Sequence, residues 1–317
     1  MIAIVLLFAL ASATTFEQWA GRHGKRWNAA ETLRRKAIFN ANRRFVEHFN
    51  KDATFKLSVD GPFAAMTNAE YNSLLKPITI NRDRDDDRKR STKAIPSSVD
   101  WRDTNKVPAV RDQGSCGSCY TFACLAAVES RLLIAGSKYT YKNLDLSEQQ
   151  LVDCSTEQGN KGCSGGSLVF TFRHIKVNGI MAESAYPYTE TEGTCAYSSS
   201  KKVVTISGQS MVTSNDEDAL AEAVAEGPVA VAIDASTIKF QLYSSGVFDD
   251  SNCSSTELNH GVAAIGYGTE SGVDYWLVRN SWGASWGQEG YIKMVRNKNN
   301  QCGIAAGAAY PTGVADA

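Results

Sequence analysis

The sequence predicts an α+β protein in which a helical N-terminal segment precedes a body made of a helical half and a sheet half. Apolar residues follow a helical stripe over residues 31–50, with Arg and Lys on the opposite side. From residue 95 to about residue 200 the patterns are helical or loop-like. After about residue 203, short runs rich in Val, Ile, Tyr and Trp alternate with Gly, Asn and Ser, which is typical of strands. At 317 residues the chain is long enough to bury a large core, divided between two lobes.

The first 13 residues have the pattern of a secretory signal peptide. Ile2–Leu10 is a short, wholly apolar run, and Ala11-Ser12-Ala13 has the small-x-small form of a cleavage site. The run is too short to span a bilayer, and no other stretch of the sequence is apolar enough to do so. We therefore expect entry into the secretory pathway, where disulfides persist, and no stable insertion into a membrane.

Charge divides the rest of the chain into two parts. Residues 14–93 hold 17 Lys and Arg against 10 Asp and Glu, whereas residues 94–317 hold 16 against 24. A segment of net charge +7 before a body of −8 predicts two parts that attract each other. A nucleic-acid-binding arm is the other interpretation, but acidic residues are interspersed and the aromatic residues fall at helical positions. Residues 81–90 are almost all charged and predict an exposed linker, so the body begins near Ile95.

Individual elements follow in chain order from local patterns. A short helix is expected at Phe16 and Trp19, and one strand between Phe55 and Val59. The remaining helices are marked by capping or terminating residues: a helix from Phe122 to Leu133 closed by Gly136, one opened by Ser147 and Gln150, and one opened by Ser214 and Glu217 and stopped by Gly227. The predicted strands of the second half are Val229–Ile233, Val262–Ile265, Tyr275–Val278 and Tyr291–Val295.

Cys119 is the first candidate for chemistry, because it lies where a turn rich in Gly and Ser becomes the first turn of a buried helix. Unpaired N–H groups and the helix dipole favour negative charge there, so the thiol is shifted towards the nucleophilic thiolate. The spacing of Cys116 and Cys119 is equally that of a redox pair or of half a zinc site.

A thiolate nucleophile needs a base, and the chain has only four histidines. His23 and His48 lie in the basic segment, and His174 lies in a helical stretch where packing explains it. His260 precedes a predicted strand and is therefore the candidate base. Asn280 follows another predicted strand, and its neutral amide can accept the imidazole N–H, a bond that Trp282 can shield from water.

Four blocks of the body resemble, in the same order, the papain family of cysteine proteases: Gln113–Phe122, Cys163–Gly166, Asn259–Gly261 and Asn280–Gly283, the last followed by Trp286-Gly287. His260 follows Cys119 by 141 residues, within the usual spacing, and Asn280 follows it by 161, slightly beyond. The resemblance covers essentially all of residues 95–317. It outweighs the redox and zinc interpretations.

The N-terminal segment resembles the pro-segment of the cathepsin L-like branch. Six spaced residues match its motif: Glu31, Arg35, Phe39, Asn42, Val46 and Asn50. A second pro-segment motif is mostly lost, since Val59, Gly61 and Ala65 stand around Phe63 where Gly, Asn and Asp are usual. Tyr120 in place of Trp and the short front segment are most similar to the amoebic members. The resemblance implies a signal peptide over 1–13, an inhibitory, mainly helical pro-segment over 14–93 and a peptidase domain over 94–317.

For the body, the resemblance implies a papain-like two-lobed fold, with the active site between a helical left lobe and an antiparallel, β-barrel-like right lobe. By this resemblance Cys119 is the nucleophile, held with His260 as a thiolate–imidazolium pair, and Asn280 orients His260. The Gln113 side chain donates to the oxyanion. No metal or cofactor is needed. Six of the eight cysteines pair by family pattern and leave Cys124 as a buried thiol: Cys116–Cys163, Cys154–Cys195 and Cys253–Cys302.

The resemblance also implies the substrate-binding residues. Gly165 and Gly166 pair with an extended substrate backbone, and Trp282 borders the site. The pocket for P2, the residue two before the scissile bond, is lined by uncharged residues: Ser167, Leu168, Ala232, Leu258, Gly261 and Gly307. We therefore expect an endopeptidase with an apolar preference at P2.

The expected partners are protein and peptide substrates, the protein's own pro-segment and cystatin-like or other protein inhibitors, but no nucleic acid. We expect a monomer in the lysosome, in lysosome-like vesicles or outside the cell. Two alternatives use the same fold. A catalytically dead binding protein would lack one of the four catalytic residues, and all four are present. A ligase or transpeptidase that uses the same thioester remains open.

Overall fold

A computed structural model describes residues 14–80 and 94–317. The predicted signal peptide (1–13) and charged linker (81–90) lie outside the described residues. In the N-terminal segment the structure has helices α1 (Phe16–Arg22), α2 (Ala29–Phe49) and α3 (Asn68–Leu74), with strand β1 (Lys56–Leu57) before α3. Helix α2 confirms the stripe predicted over 31–50, and Asn28 caps it by accepting the backbone N–H of Glu31.

The helical half of the body is built around one helix that is buried on almost every side. Its elements are β2 (Val99–Asp100), α4 (Cys119–Ile134), α5 (Glu148–Cys154), α6 (Leu168–Asn178), β3 (Ile180–Met181), β4 (Lys202–Thr205) and β5 (Gly208–Met211). In α4 every residue except Arg131 and Ile134 is buried, because the helix packs against α5 and α6 on one side and against the sheet on the other. Such complete burial fixes the position of the first residue of α4, Cys119.

The second half of the body is dominated by an eight-stranded sheet. The elements of this half of the body are α7 (Glu217–Glu226), β6 (Val229–Ile233), α8 (Ile238–Gln241), β7 (Tyr243–Ser245), β8 (Val247–Phe248), β9 (His260–Glu270), β10 (Val273–Arg279), β11 (Tyr291–Val295), β12 (Ala309–Thr312) and β13 (Ala315–Asp316). The sheet order is β5-β12-β6-β9-β10-β11-β8, with β2 beside β9. The α+β prediction is confirmed, and the sheet is antiparallel except where β8 pairs with β11 in parallel.

Two predicted helix starts differ in detail from the structure. Asp216, not Ser214, caps α7 by accepting the backbone N–H of Ala219, because Asn215 has a positive φ and the helix begins only after it. Ser147 does cap α5, but Gln150 does not reach back to it. The Gln150 side chain instead donates to the carbonyl of Gly179, in the buried interior.

The N-terminal segment lies against the sheet half of the body. Strand β1 pairs with β7, and Tyr71 of α3 is fully buried and donates its hydroxyl to the carbonyl of Ala235 at 2.8 Å. The ring of Phe63 packs edge-to-face on Trp282, at 5.0 Å between centroids. Among residues 14–80 and 94–317, none of the helices combines the length and apolar character that crossing a bilayer requires.

Candidate active site

Cys119 is the first residue of α4 and lies where the two lobes meet. Ser118 occupies the N-cap position, and the Cys119 sulfur accepts a hydrogen bond from the backbone N–H of Gly261 at 3.3 Å. Because Gly261 directly follows His260 at the start of β9, the fold brings the thiol of one lobe beside the histidine of the other.

The His260 ring is fixed by two neighbours. Its Nε2 lies 2.7 Å from Oδ1 of Asn280, and the same oxygen accepts the backbone N–H of Ser281 at 2.8 Å. Since that oxygen can only accept, Nε2 carries the proton of the neutral ring and Nδ1 is left as the basic nitrogen. The indole of Trp282 stacks on the imidazole at 4.4 Å between centroids, with 20° between the planes.

Gln113 connects the two lobes just before α4. Its backbone N–H donates to the carbonyl of Ser281, and its side-chain oxygen accepts the Ser281 hydroxyl at 2.7 Å. Its Nε2 donates one N–H to the carbonyl of Cys116 at 2.9 Å. An amide nitrogen has two N–H groups, so this arrangement orients the amide and keeps a second donor for a ligand.

In the covered form, burial acts against charge on both Cys119 and His260. Burial raises the pKa of the Cys119 thiol to about 11, against the backbone N–H groups of Gly261, Tyr120 and Cys119, which lower it. Burial also lowers the pKa of His260 to about 4, and the hydrogen bond to Asn280 opposes this only in part. A dry site disfavours both charges, so the covered form favours a neutral thiol beside a neutral imidazole, and the thiolate–imidazolium pair expected of the working enzyme stays a prediction.

The end of the N-terminal segment lies along the cleft. Ile78 forms a β-bridge to Gly166, the backbone N–H of Thr79 donates to the Gly166 carbonyl at 3.0 Å, and that of Ile78 donates to the Leu258 carbonyl at 3.0 Å. Pro77 and Lys76 lie against Gly165, which has a φ of +103°. The pair of glycines expected to bind a substrate backbone is thus occupied by the protein's own chain.

A small cavity surrounds Ile80 beyond these glycines. Three of its lining residues were expected from the sequence, namely Ser167, Leu168 and Gly307. A Cβ at position 307 would lie too close to Cδ1 of Ile80, so a side chain there would force Ile80 to move. The cavity is also lined by three residues that the sequence analysis missed: Val169, Met211 and Ala309.

Two other residues expected in this pocket, Ala232 and Leu258, belong to the buried cluster that contains Leu168 and Ile78. Ala232 is fully buried in β6, where it pairs with Gly261, and Leu258 contributes its backbone carbonyl to the cleft. Ala232, Leu258 and Gly261 are not among the residues that line the cavity around Ile80. Met211 was missed because it lines the cavity by pairing across the sheet with Ala309, about a hundred residues away in the sequence.

The structure contains the three disulfides that the resemblance implied: Cys116–Cys163, Cys154–Cys195 and Cys253–Cys302. The first joins the turn before α4 to the loop that carries Gly165 and Gly166. Cys116 is therefore not available as the partner of Cys119 in a redox pair. Cys119 and Cys124 remain as buried free thiols, and Cys124 donates to the carbonyl of Leu168.

A thiol at a helix start, an imidazole with its basic nitrogen left free, and an N-terminal segment that covers both define a cysteine protease in its precursor form. Comparisons with known proteins agree with this class. The family described as "Papain family cysteine protease" matches residues 95–312, and the "Cathepsin propeptide inhibitor domain" matches residues 16–71. The chain belongs to the papain family of cysteine proteases.

Individual relatives match along almost the whole chain. "Cysteine proteinase 2" of Entamoeba histolytica is 48% identical over 99% of this chain and 99% of its own. "Digestive cysteine proteinase 3" of Homarus americanus is 43% identical over 98% and 99%. The solved structure of digestive procathepsin L 3 from Tenebrio molitor larval midgut has a TM-score of 0.86 and 41% identity, and covers 93% of this chain and 97% of that one. These comparisons confirm the similarity to amoebic and cathepsin L-like members.

Proposed function

We propose that Cys119 and His260 are the catalytic pair of this cysteine endopeptidase, with Asn280 orienting His260 and Gln113 donating to the oxyanion. The observation that carries the proposal is the 3.3 Å hydrogen bond from the Gly261 N–H to the Cys119 sulfur. It places the thiol beside a histidine whose Nε2 is held by Asn280, so the basic Nδ1 is the nitrogen left to take the proton.

The reaction begins once the N-terminal segment has left the cleft. The Cys119 proton passes to Nδ1 of His260, and the thiolate attacks the carbonyl carbon of the substrate. Charge develops on the carbonyl oxygen, towards which the Gln113 side chain and the Cys119 backbone N–H donate. The C–N bond breaks as His260 returns the proton to the leaving amine. Water activated by His260 then hydrolyses the thioester, which releases the acid and restores the thiol.

Labelling with an epoxide inhibitor such as E-64 tests these roles in the processed enzyme. We expect the label on Cys119 and turnover of a dipeptidyl fluorogenic substrate, both of which Cys119→Ser abolishes. Cys124→Ala is the matched control, because Cys124 is also a buried free thiol but lies five residues further along α4. Cleavage at full rate by the Cys119→Ser enzyme would overturn the proposal.

An apolar residue at P2 is the preferred substrate feature. In the precursor Ile80 lines a small cavity together with other uncharged residues, including Leu168, Met211 and Ala309. A buried guanidinium in such a cavity would have no partner, which costs more than the burial of its methylenes returns. A peptide library profiled at P2 should favour Val, Ile, Leu or Phe, and a profile dominated by Arg would contradict this preference.

The propeptide domain makes the N-terminal segment an intramolecular inhibitor, and charge strengthens its binding. Segment 14–93 carries +7 and the body −8, so their attraction weakens with salt. The isolated segment added to mature enzyme at neutral pH should therefore inhibit, and more strongly at low salt. An unchanged rate at low salt would refute inhibition in trans by this segment.

The same relatives support a proposal on the location, the oligomeric state and the inhibitors of this protein. The cathepsin L and digestive proteinase relatives support a protein of the secretory pathway, in lysosome-like vesicles or outside the cell. We further propose a monomer that cystatin-like proteins inhibit. N-terminal sequencing of the active form and fractionation of cells test the site of maturation and the destination. Transfer of the acyl group to an added amine, in preference to water, would favour a ligase over a hydrolase.

A further inference from the structure

A second cavity, of about 420 Å³, lies between the N-terminal segment and the body. The body contributes Trp282, Asp112 and Glu190 to its walls, and the segment contributes Phe63 and Lys25. Trp282 is the residue that stacks on His260, so one wall of the cavity is formed by a side chain in contact with the catalytic histidine.

The path of the segment shows which end of the cleft this is. Phe63 and Tyr71 pack on Trp282, Lys76 then passes over Gly117, and Ile80 reaches its own cavity at the far end. Ile78, which packs in one buried cluster with Leu168 and Leu258, and Ile80, which lies against Gly307, are both at the pocket assigned to P2, before the scissile bond. The cavity at Trp282 is at the opposite end, and it therefore receives the substrate residues after the scissile bond.

Two carboxylates stand on either side of one dipeptide in this wall. Oδ1 of Asp112 accepts the backbone N–H of Gly114 at 2.9 Å, and Oε2 of Glu190 accepts that of Ser115 at 3.3 Å. Gly114 has a φ of +58°, and a Cβ there would collide with the Glu190 carboxylate. These bonds hold both charges beside the cleft, and among the described residues no Lys or Arg forms an ion pair with Asp112 or Glu190.

The N-terminal segment places a cation in the same cavity as these carboxylates. Lys25 is one of its lining residues, and within residues 14–80 and 94–317 no other Lys or Arg lines it. The part of the segment that covers the leaving-group side of the cleft is therefore complementary in charge to the body at this point.

We propose that Asp112 and Glu190 make the mature enzyme prefer Arg or Lys over Asp or Glu at the first or second position after the scissile bond. This inference rests on the proposed function and adds a specificity to its leaving-group side. Both carboxylates are exposed, so each cation contact contributes little on its own. We expect about a fivefold preference in kcat/KM for Arg over Glu at low salt, reduced as salt screens the charges.

The test uses internally quenched peptides that are identical except for Arg, Ala or Glu at one of these two positions. The wild-type enzyme should cleave them in the order Arg, Ala, Glu at low salt. The variants Asp112→Asn and Glu190→Gln should each reduce the ratio of Arg to Glu. Asp103→Asn is the matched control, because it removes the same charge from an exposed site after β2, which pairs with the end of β9 remote from His260.

The outcomes separate this inference from the proposed function. If the Ala peptide is not cleaved, the proposed function fails. If the Ala peptide is cleaved but the ratio of Arg to Glu is near one, or if Asp103→Asn lowers it as much as Asp112→Asn and Glu190→Gln do, the specificity of these carboxylates is refuted.

Discussion

Removal of the N-terminal segment should lower the pKa of the Cys119 thiol, although the contacts of Cys119 within the body change little. In the covered site, burial raises the pKa of this thiol from 9.0 to about 11 and lowers that of His260 to about 4. At pH 7 a thiol with a pKa of about 11 is ionised in only about one molecule in 10⁴. The shift of the thiol corresponds to about 3 kcal/mol against the charged form.

In the open cleft, water and the imidazolium of His260 stabilise the thiolate that burial had excluded. Histidine-paired cysteines of this kind, papain's among them, have thiol pKa values of about 3–4. We therefore expect alkylation of Cys119 by the neutral reagent iodoacetamide to rise up to high pH in the precursor, and to reach its plateau well below pH 7 in the mature enzyme.

This test compares the pH midpoints of the alkylation rate and not the absolute rates, because a covered thiol also reacts slowly for steric reasons. Peptide mapping assigns the alkylation to Cys119. The Cys124→Ala background leaves Cys119 as the only free thiol among the described residues. A precursor whose alkylation has already reached its plateau below pH 7 would refute the argument that burial keeps the pair neutral.

Three further predictions concern single residues. Asn280→Ala removes the acceptor that holds His260 and should lower kcat about 100-fold with little change in KM, measured on a fluorogenic peptide. Gln113→Ala should lower kcat about 10²- to 10³-fold through loss of an oxyanion donor, and an unchanged kcat would exclude that role. Glu70, which pairs with Arg34 and Arg35, has its pKa lowered to about 2, so its contribution to the folded segment is complete above pH 4.5 and is lost only towards pH 2. Glu70→Gln should therefore weaken inhibition in trans about tenfold at pH 7. In the wild-type segment, titration of Glu70 should not cause release between pH 7 and 5. Inhibition constants measured across that pH range will check both expectations.

Local patterns were sufficient for most of the regular elements and for naming the candidate reacting groups. The stripe over 31–50 predicts α2 to within two residues, and Val229–Ile233 is β6 as predicted. The patterns failed where a neighbouring residue outside the pattern decided where a helix begins. Helix α7 starts at Asp216 because the backbone of Asn215 is left-handed, and neither Ser214 nor Glu217 reveals that.

The sequence by itself determined the candidates for the chemistry, because Cys119, His260, Asn280 and Gln113 stand in motifs that can be recognised without coordinates. The tertiary structure alone decided three further points: that Met211 and Ala309 line the cavity of Ile80, that Asp112 and Glu190 line the cavity beside Trp282, and that burial disfavours charge on Cys119 and His260 in the precursor. Each depends on burial or on contacts between residues far apart in the chain, and a motif encodes only the order and spacing of its own residues.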